Sequence, residues 1–382
     1  MDYKKEALLR RQIANFTPFN EDERKIYLKK MEKNQLKDYY EKERWYNYVH
    51  GIPPFDIEQR QKDYALINTA LKINRTFSNH PFCKIIGDKR KKTNRPVIYA
   101  VTHVGLYDYQ MITEAIGDQT FALAGDPEIM YGTFDGFFME KSGVIYCDTN
   151  NALDRYVAEK TAIKYLVHGA NILLYPEGVW NLTPNLLVLP LWPGVIRIAQ
   201  QANADIVPVA IEQYGHSFII NYGPNFEITN HDINDLEYID LSRNILRDNL
   251  ATLKYEIFLS KRCIKRSKIG EYEEYLKKFE NTRLNEWKDK DKNPIYTLDL
   301  VKSRTYRESD KNVSDLVGEK VLYASPIEAF NFIKNLSVSK NNAFLLRRDI
   351  SMPKSIEMDK EEKVGEIIYT NSKQKEKVLK IS

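Results

Sequence analysis

Cysteine is scarce: Cys83, Cys147 and Cys263 are the only three in 382 residues, and they lack metal-ligand spacing. That excludes a disulfide framework and a cysteine zinc site and fits a reducing compartment. Long apolar runs are missing as well. The longest, Leu186 to Ile196, is interrupted by Pro190, Pro193 and Gly194 and falls short of the roughly 18 residues of a spanning helix. The opening MDYKKEALLRRQ is charged from its second residue and has no apolar stretch before a small-residue cleavage site, so no signal peptide is expected. Charge of one sign is also lacking, since a net +4 lends little to a nucleic-acid role. Neither G-x-x-x-x-G-K-[ST] nor G-x-S-x-G occurs, and GHS at 215–217 has no second glycine. A P-loop hydrolase and a serine esterase with a nucleophile elbow are thereby disfavoured.

What is present is 43% apolar content, enough for a large core in one sizeable domain with appendages, or two domains. The informative stretch is PVIYAVTHVGLYD, from Pro96 to Asp108. Val97 to Val101 read as a buried strand, Gly105 breaks it, and helical spacing resumes towards Ile116. His103 thus falls in a strand-to-helix turn, where open α/β sheets bind ligands, and Asp108 falls in the first helical turn. An imidazole can take a proton from an alcohol near neutral pH, and a carboxylate on its other nitrogen fixes the tautomer. On one continuous helix a five-residue spacing would set the two side chains about 140° apart, and the turn removes that obstacle. The plainer role for His103 is capping the helix start.

Residues 1–80 have a helical rhythm, with Asn20 capping EDERKIYLKKMEK, GIPPF breaking the chain at 51–55, and a helix expected over Ile57–Leu71. Tyr64, Ala65, Leu66 and Ala70 are its core candidates. Residues 81–240 alternate strand and helix, with strands expected at 97–102, 120–124, 143–147, 171–175 and 205–211 and a helix at Leu153–His168. His168 reads as a partner of that helix's C-terminal dipole. Residues 241–352 form a mainly helical extension, with a linker at 288–294 and a short helix at 325–336. Leu246, Leu250, Leu253 and Ile257 recur at helical steps ahead of the basic run Lys261–Lys268. This helix either faces the core or rests on anionic lipid. Residues 353–382 read as a disordered tail. The fold class expected is α/β, a mixed sheet with flanking helices plus helical N- and C-terminal segments.

Three further blocks give His103 its context: GVIYCDT from Gly143, including Asp148; YPEGVWN at 175–181; and IVPVAIE at 206–212. With H-x-x-x-x-D they resemble, in order and separation, the four blocks of the glycerolipid acyltransferases, over about a third of the chain. The resemblance implies acyl transfer from a thioester on acyl-CoA or acyl-ACP to a glycerolipid or lysophospholipid hydroxyl. His103 would be the general base and Asp108 its orienter, with no cofactor and no metal. Glu177, Gly178, Asp148 and Arg155 would serve the acceptor, and backbone amides near Gly105 or Gly178 the oxyanion. It also implies a peripheral protein on the inner, cytoplasmic face of a membrane, with no nucleic-acid partner. Each residue has a duller alternative: Glu177 at a helix start, Gly178 in a turn, Asp148 capping DTNN. Pro208, inside a strand, suggests an edge or a local break.

The departures matter. The family's arginines in the second and third blocks are Thr149 and Trp180 here. Those guanidinium groups hold the acceptor's phosphate, which neither replacement can do, so Arg155, Lys141 or Arg197 would have to substitute. A non-phosphorylated glycolipid or polyol acceptor is therefore a second reading. A non-catalytic membrane-surface protein that keeps the fold is a third.

Overall fold

The computed structural model describes residues 2–77, 82–105, 107–125, 139, 142–181, 187–189, 191–214, 217–228, 232, 234–260, 366–371 and 374–380. Four helices lead: α1 (Asp2–Gln12), α2 (Glu21–Tyr27), α3 (Lys33–Val49) and α4 (Ile57–Phe77). Asn20 caps α2 by accepting from the amides of Asp22 and Glu23, and Glu23 returns a bond to the Asn20 amide. Two of the core candidates of α4 do not hold: Leu66 is 73% exposed and Ala65 is exposed, while Tyr64 is half-buried and Ala70 lies outside the residues whose side chains are described. Instead the Tyr64 hydroxyl reaches the Thr113 carbonyl at 3.4 Å.

The sheet comprises β1 (Phe82–Asp88), β2 (Val97–Val101), β3 (Thr120–Gly125), β4 (Val144–Cys147), β5 (Asn171–Leu174), β6 (Asp205–Tyr214), β7 (Ser217–Tyr222) and β8 (Phe226–Glu227). Its order is β1-β7-β6-β2-β5-β3-β4, with β8 beside β6. Pairing is parallel except where β6 meets β7 and β8, so the sheet is mixed. All five residues of β2 are buried, as a central parallel strand requires. Alternation along β2 builds two cores. Ile98 and Ala100 face α6 (Ala152–Val167), α7 (Gly194–Ala202) and α8 (Leu236–Leu259), while Val97, Tyr99 and Val101 face α5 (Asp108–Ile116).

Pro208 sits in the interior strand β6, not at an edge. Its missing N–H falls between β8, which pairs with Asp205 and Ile206, and β7, whose pairing begins at Val209. No ladder bond is lost there. Helix α8 straddles the boundary expected at residue 240 and is part of the sheet domain. Leu246, Leu250 and Ile257 are fully buried and Leu253 nearly so, which settles its apolar stripe as core-facing. The basic run 261–268, the linker 288–294 and the helix expected at 325–336 lie outside the described residues. Within the stretch expected to be a disordered tail, β9 (Glu366–Asn371) and β10 (Gln374–Lys380) pair antiparallel. EIIYT carries the β-branched and aromatic residues that favour such pairing. Among the described residues no helix is long and apolar enough to cross a membrane.

The N-terminal helices pack on the sheet domain. Leu9, Ile13 and Trp45 form a cluster with Tyr156 and Val157 of α6. Beneath it lies Asp154, fully buried, which accepts from Arg44 Nε at 3.2 Å, Arg44 Nη2 at 2.8 Å and Trp45 Nε1 at 2.9 Å. Glu41, bonded by the Asn151 amide, shares this patch. Burial, and then the Asp154 charge, push its pKa up to about 7. A carboxyl whose folded pKa exceeds its unfolded value favours folding at low pH, and that contribution is lost as pH rises from about 4.5 to about 7. Glu41→Gln should therefore match the parent's stability at pH 5 and exceed it at pH 8 by about 1–2 kcal/mol, after discounting for solvent screening. Urea unfolding at both pH values checks this; equal differences at the two would refute it.

Candidate active site

β2 delivers His103 to the carboxyl edge of the sheet, next to β5 and β6. Thr102, fully buried, ties this end down: its amide donates to the Val209 carbonyl, its hydroxyl to the Ile211 carbonyl at 3.2 Å, and the Ile211 amide returns a bond at 3.0 Å. The chain then turns into α5, and His103 Nδ1 meets Asp108 Oδ2 at 2.7 Å. The same oxygen accepts the amides of Val104 at 2.9 Å and Gly105 at 3.2 Å. Asp108 is 1% exposed, so the backbone of the turn locks its carboxylate and the carboxylate locks the ring. The histidine side chain keeps 22% of its surface, enough to meet a substrate. The two predicted members of the dyad are thus brought together.

Two aromatic residues frame the imidazole. Tyr175 stacks on it with centroids 4.1 Å apart, and Trp180 stands edge-on at 6.0 Å. Burial, and next the Asp108 charge, raise the Tyr175 pKa well above its ordinary value, so it stays a neutral phenol. Tyr175 was not singled out from sequence; its place at the end of β5, just before Pro176-Glu177, is the only signal that could have flagged it. Trp180, in the position of an expected arginine, is 5% exposed and fills space beside the dyad.

Glu177 does not present its carboxylate to solvent. It is 3% exposed, and its oxygens accept the amides of His103 at 3.0 Å and Leu189 at 2.7 Å. Its acceptor-binding role gives way to a bracing one, because buried N–H groups must be paired and these two have claimed it. A further strut runs from the Asn181 amide to the His103 carbonyl at 3.1 Å. Gly178 is set by its turn: its φ is +73°, and a Cβ there would lie 2.5 Å from Trp192 Nε1. The Gly105 amide donates to Asp108 and the Gly178 amide to the Tyr175 carbonyl.

Asp148 and Arg155 lie elsewhere. Asp148 follows β4, three strands from β2, about 14 Å away at the usual strand spacing. It pairs with Lys37 at 3.0 Å and accepts the Asn150 amide at 2.8 Å. Burial works to raise its pKa, but the Asn150 amide, Lys37 and Arg44 outweigh burial and hold it below the ordinary carboxylate value. Arg155 donates to the Thr149 carbonyl at 2.7 Å within its own turn. The duller reading, a capped turn, describes both.

The mixed α/β sheet thus sets a half-buried histidine, backed by a buried aspartate, on the turn after a central strand, an arrangement whose chemistry suits a general base. Residues 83–212, a third of the chain, match the family model described as Acyltransferase. Among relatives, an uncharacterized acyltransferase of Schizosaccharomyces pombe is 25% identical over 169 residues, 40% of this chain and 60% of that protein. A 1-acyl-sn-glycerol-3-phosphate acyltransferase of Saccharomyces cerevisiae is 24% identical over 141 residues, 37% of this chain and 46% of that protein. The chain thus spans about half the length of these curated relatives. The crystal structure of the 1-acyl-sn-glycerophosphate (LPA) acyltransferase PlsC from Thermotoga maritima aligns with a TM-score of 0.41 at 14% identity, covering 69% of this chain and all of that one.

Proposed function

We propose that the chain transfers a fatty acyl group from an acyl thioester, on coenzyme A or acyl carrier protein, to a hydroxyl of a glycerolipid such as 1-acylglycerol 3-phosphate or another lysophospholipid. The observation that carries this is the 2.7 Å contact at His103 Nδ1, made to a carboxylate that two backbone amides hold still. With Nδ1 so committed, Nε2 takes the acceptor's hydroxyl proton. The alkoxide attacks the thioester carbonyl, the C–O bond forms, and the tetrahedral intermediate expels the thiolate, which recovers the proton from Nε2. Asp108 stabilises the imidazolium in between. The reaction calls on no metal and no prosthetic group.

Exposed Leu8, Ile26, Tyr27, Leu66 and Ile73 on the leading helices, interspersed with lysine and arginine, support work at a lipid surface. Trp180 beside the dyad, where a phosphate-binding arginine is expected, supports a second reading in which the acceptor lacks a phosphomonoester. The test is transfer of label from a long-chain acyl-CoA or acyl-ACP to a panel: glycerol 3-phosphate, 1-acylglycerol 3-phosphate, lysophospholipid diesters, glycolipids and polyols. Labelled product on a lysophospholipid is expected. Product only on the unphosphorylated acceptors would install the second reading, and silence with both donors would leave a non-catalytic membrane-surface protein.

A further inference from the structure

Helix α8 lies beyond the family-matched residues 83–212, yet it carries three buried cations: Arg243 at 1%, Arg247 at 3% and Lys254 at 3% exposure. Lys254 meets Glu212 of β6 at 3.5 Å. The two arginines, one helical turn apart on the same face, instead grip the segment 187–191 by its carbonyls. Arg247 donates to Val188 O through Nε at 3.0 Å and Nη2 at 2.9 Å, and Arg243 Nη1 to Leu191 O at 3.2 Å. Two donors of one rigid, planar guanidinium that converge on the Val188 carbonyl fix its direction as well as its place.

That same peptide group carries the Leu189 N–H. Planar and trans, it points its carbonyl and its N–H in opposite directions, so Arg247 holds one side while Glu177 Oε2, at 2.7 Å, takes the other. Glu177 Oε1 then accepts the His103 amide at 3.0 Å. An unbroken run of contacts thus leads from Arg247, through one peptide and one carboxylate, to the backbone of His103. A second run lies beside it: Asn181 Nδ2 donates to the Leu187 carbonyl at 3.2 Å, and the Asn181 amide to the His103 carbonyl at 3.1 Å. The N–H and the C=O of His103 are therefore both held by residues that bond to the segment α8 grips. We propose that Arg247 is a positioning residue of this site: by fixing the Val188–Leu189 peptide it sets Glu177, and Glu177 sets the His103 backbone so that Nδ1 meets Asp108. The proposal rests on the acyltransferase reading only for its kinetic consequence.

The experiment compares the full chain with Arg247→Met, Arg247→Lys and a control on the same helix, Leu253→Ala, whose buried side chain packs with Ala210 and Ile219. Protein labelled with 15N at its six histidines gives an NMR amide signal for each, and that of His103 is assigned by its loss in His103→Ala. Hydrogen exchange at the His103 amide should quicken about tenfold in Arg247→Met and less in Arg247→Lys, while the His168 amide, bonded to the Lys164 carbonyl of its own helix, keeps the parent's rate. Leu253→Ala should lower the urea midpoint without singling out His103. In the acyl-transfer assay, Arg247→Met should lower kcat about tenfold with KM within about twofold, the mark of lost alignment and not of lost binding. In a Glu177→Gln background the same change should cost less than about twofold, since the run of contacts is already cut. Should Arg247→Met not fold, Arg247→Lys, which keeps the cation and loses the fork, carries the same comparison with a smaller change. An unmoved His103 exchange rate overturns the proposal whether or not acyl transfer is found. A rate that rises equally at His103 and His168 overturns it too, as does a kcat loss that Leu253→Ala matches or that persists in full without Glu177. A quickened His103 amide with no acyl transfer in the parent supports the positioning role and counts against the acyltransferase reading instead.

Discussion

His103→Ala is expected to lower kcat for acyl transfer by about 10²–10⁴-fold, the range a positioned general base contributes. KM for the thioester should change little, because in the proposed mechanism the imidazole acts on the hydroxyl proton and not on the donor's binding. Folding should survive, since the ring keeps 22% of its surface exposed and the turn is held by other groups: Asp108 on the Val104 and Gly105 amides, Glu177 on the His103 amide. Steady-state kinetics with the preferred acceptor, alongside a thermal melt, checks this. A mutant within threefold of the parent would remove the dyad from the mechanism. Asp108→Asn tests the same site from the other side. It keeps the shape but sets a side chain that is no longer anionic against Nδ1 and two amides, so it should lose both activity and stability.

The second large effect is structural. Asp154→Ala takes a fully buried carboxylate away from the Arg44 guanidinium, whose side chain is 18% exposed, and from the buried Trp45 indole N–H. Removing one partner of a buried ion pair costs about 3–5 kcal/mol, since the remaining charge stays desolvated. The loss should fall first on the docking of α3 against α6. Limited proteolysis is then expected to release the N-terminal helices before the sheet domain is cut, and the urea midpoint should drop. A variant as protease-resistant as the parent would show that the aromatic packing of Trp45 and Tyr156 suffices without the ion pair.

The legible part of this molecule is its centre. Five consecutive apolar residues at 97–101 could only be a buried strand, and Gly105 directly ahead of a helical repeat placed His103 and Asp108 on a turn, where they are found. β3 to β6 and α6 were legible for the same reason: run length and periodicity are local properties. β1 and β7 were not. Their pairing joins Phe82 to Ser217, and strands of mixed polarity such as FCKIIGD show their sheet only against a partner far along the chain. Glu177 was legible as a site residue but not in its role, because whether a carboxylate faces substrate or backbone depends on which amides the fold leaves unpaired. Arg243, Arg247 and Lys254 read as ordinary charged positions in a helix, since burial of a cation leaves no mark on its spacing. Asp148 matched a family block yet stands three strands from the dyad, a distance set by sheet order and not by sequence separation.

The grip of α8 on residues 187–191 has a consequence for biosynthesis. The strand that carries the histidine is made early, but its neighbour β6 lies 109 residues further on, as the Thr102–Ile211 bond records, and the helix that steadies the loop beneath it comes later still. On a ribosome, the nascent chain therefore carries its histidine through the synthesis of about 150 further residues without a rigid place to put it. Assembly dominated by such distant pairings is slow. Chains released before α8 emerges would leave Ala210 and Ile219 of β6 and β7 without the helix that covers them, a substrate for chaperones and proteases.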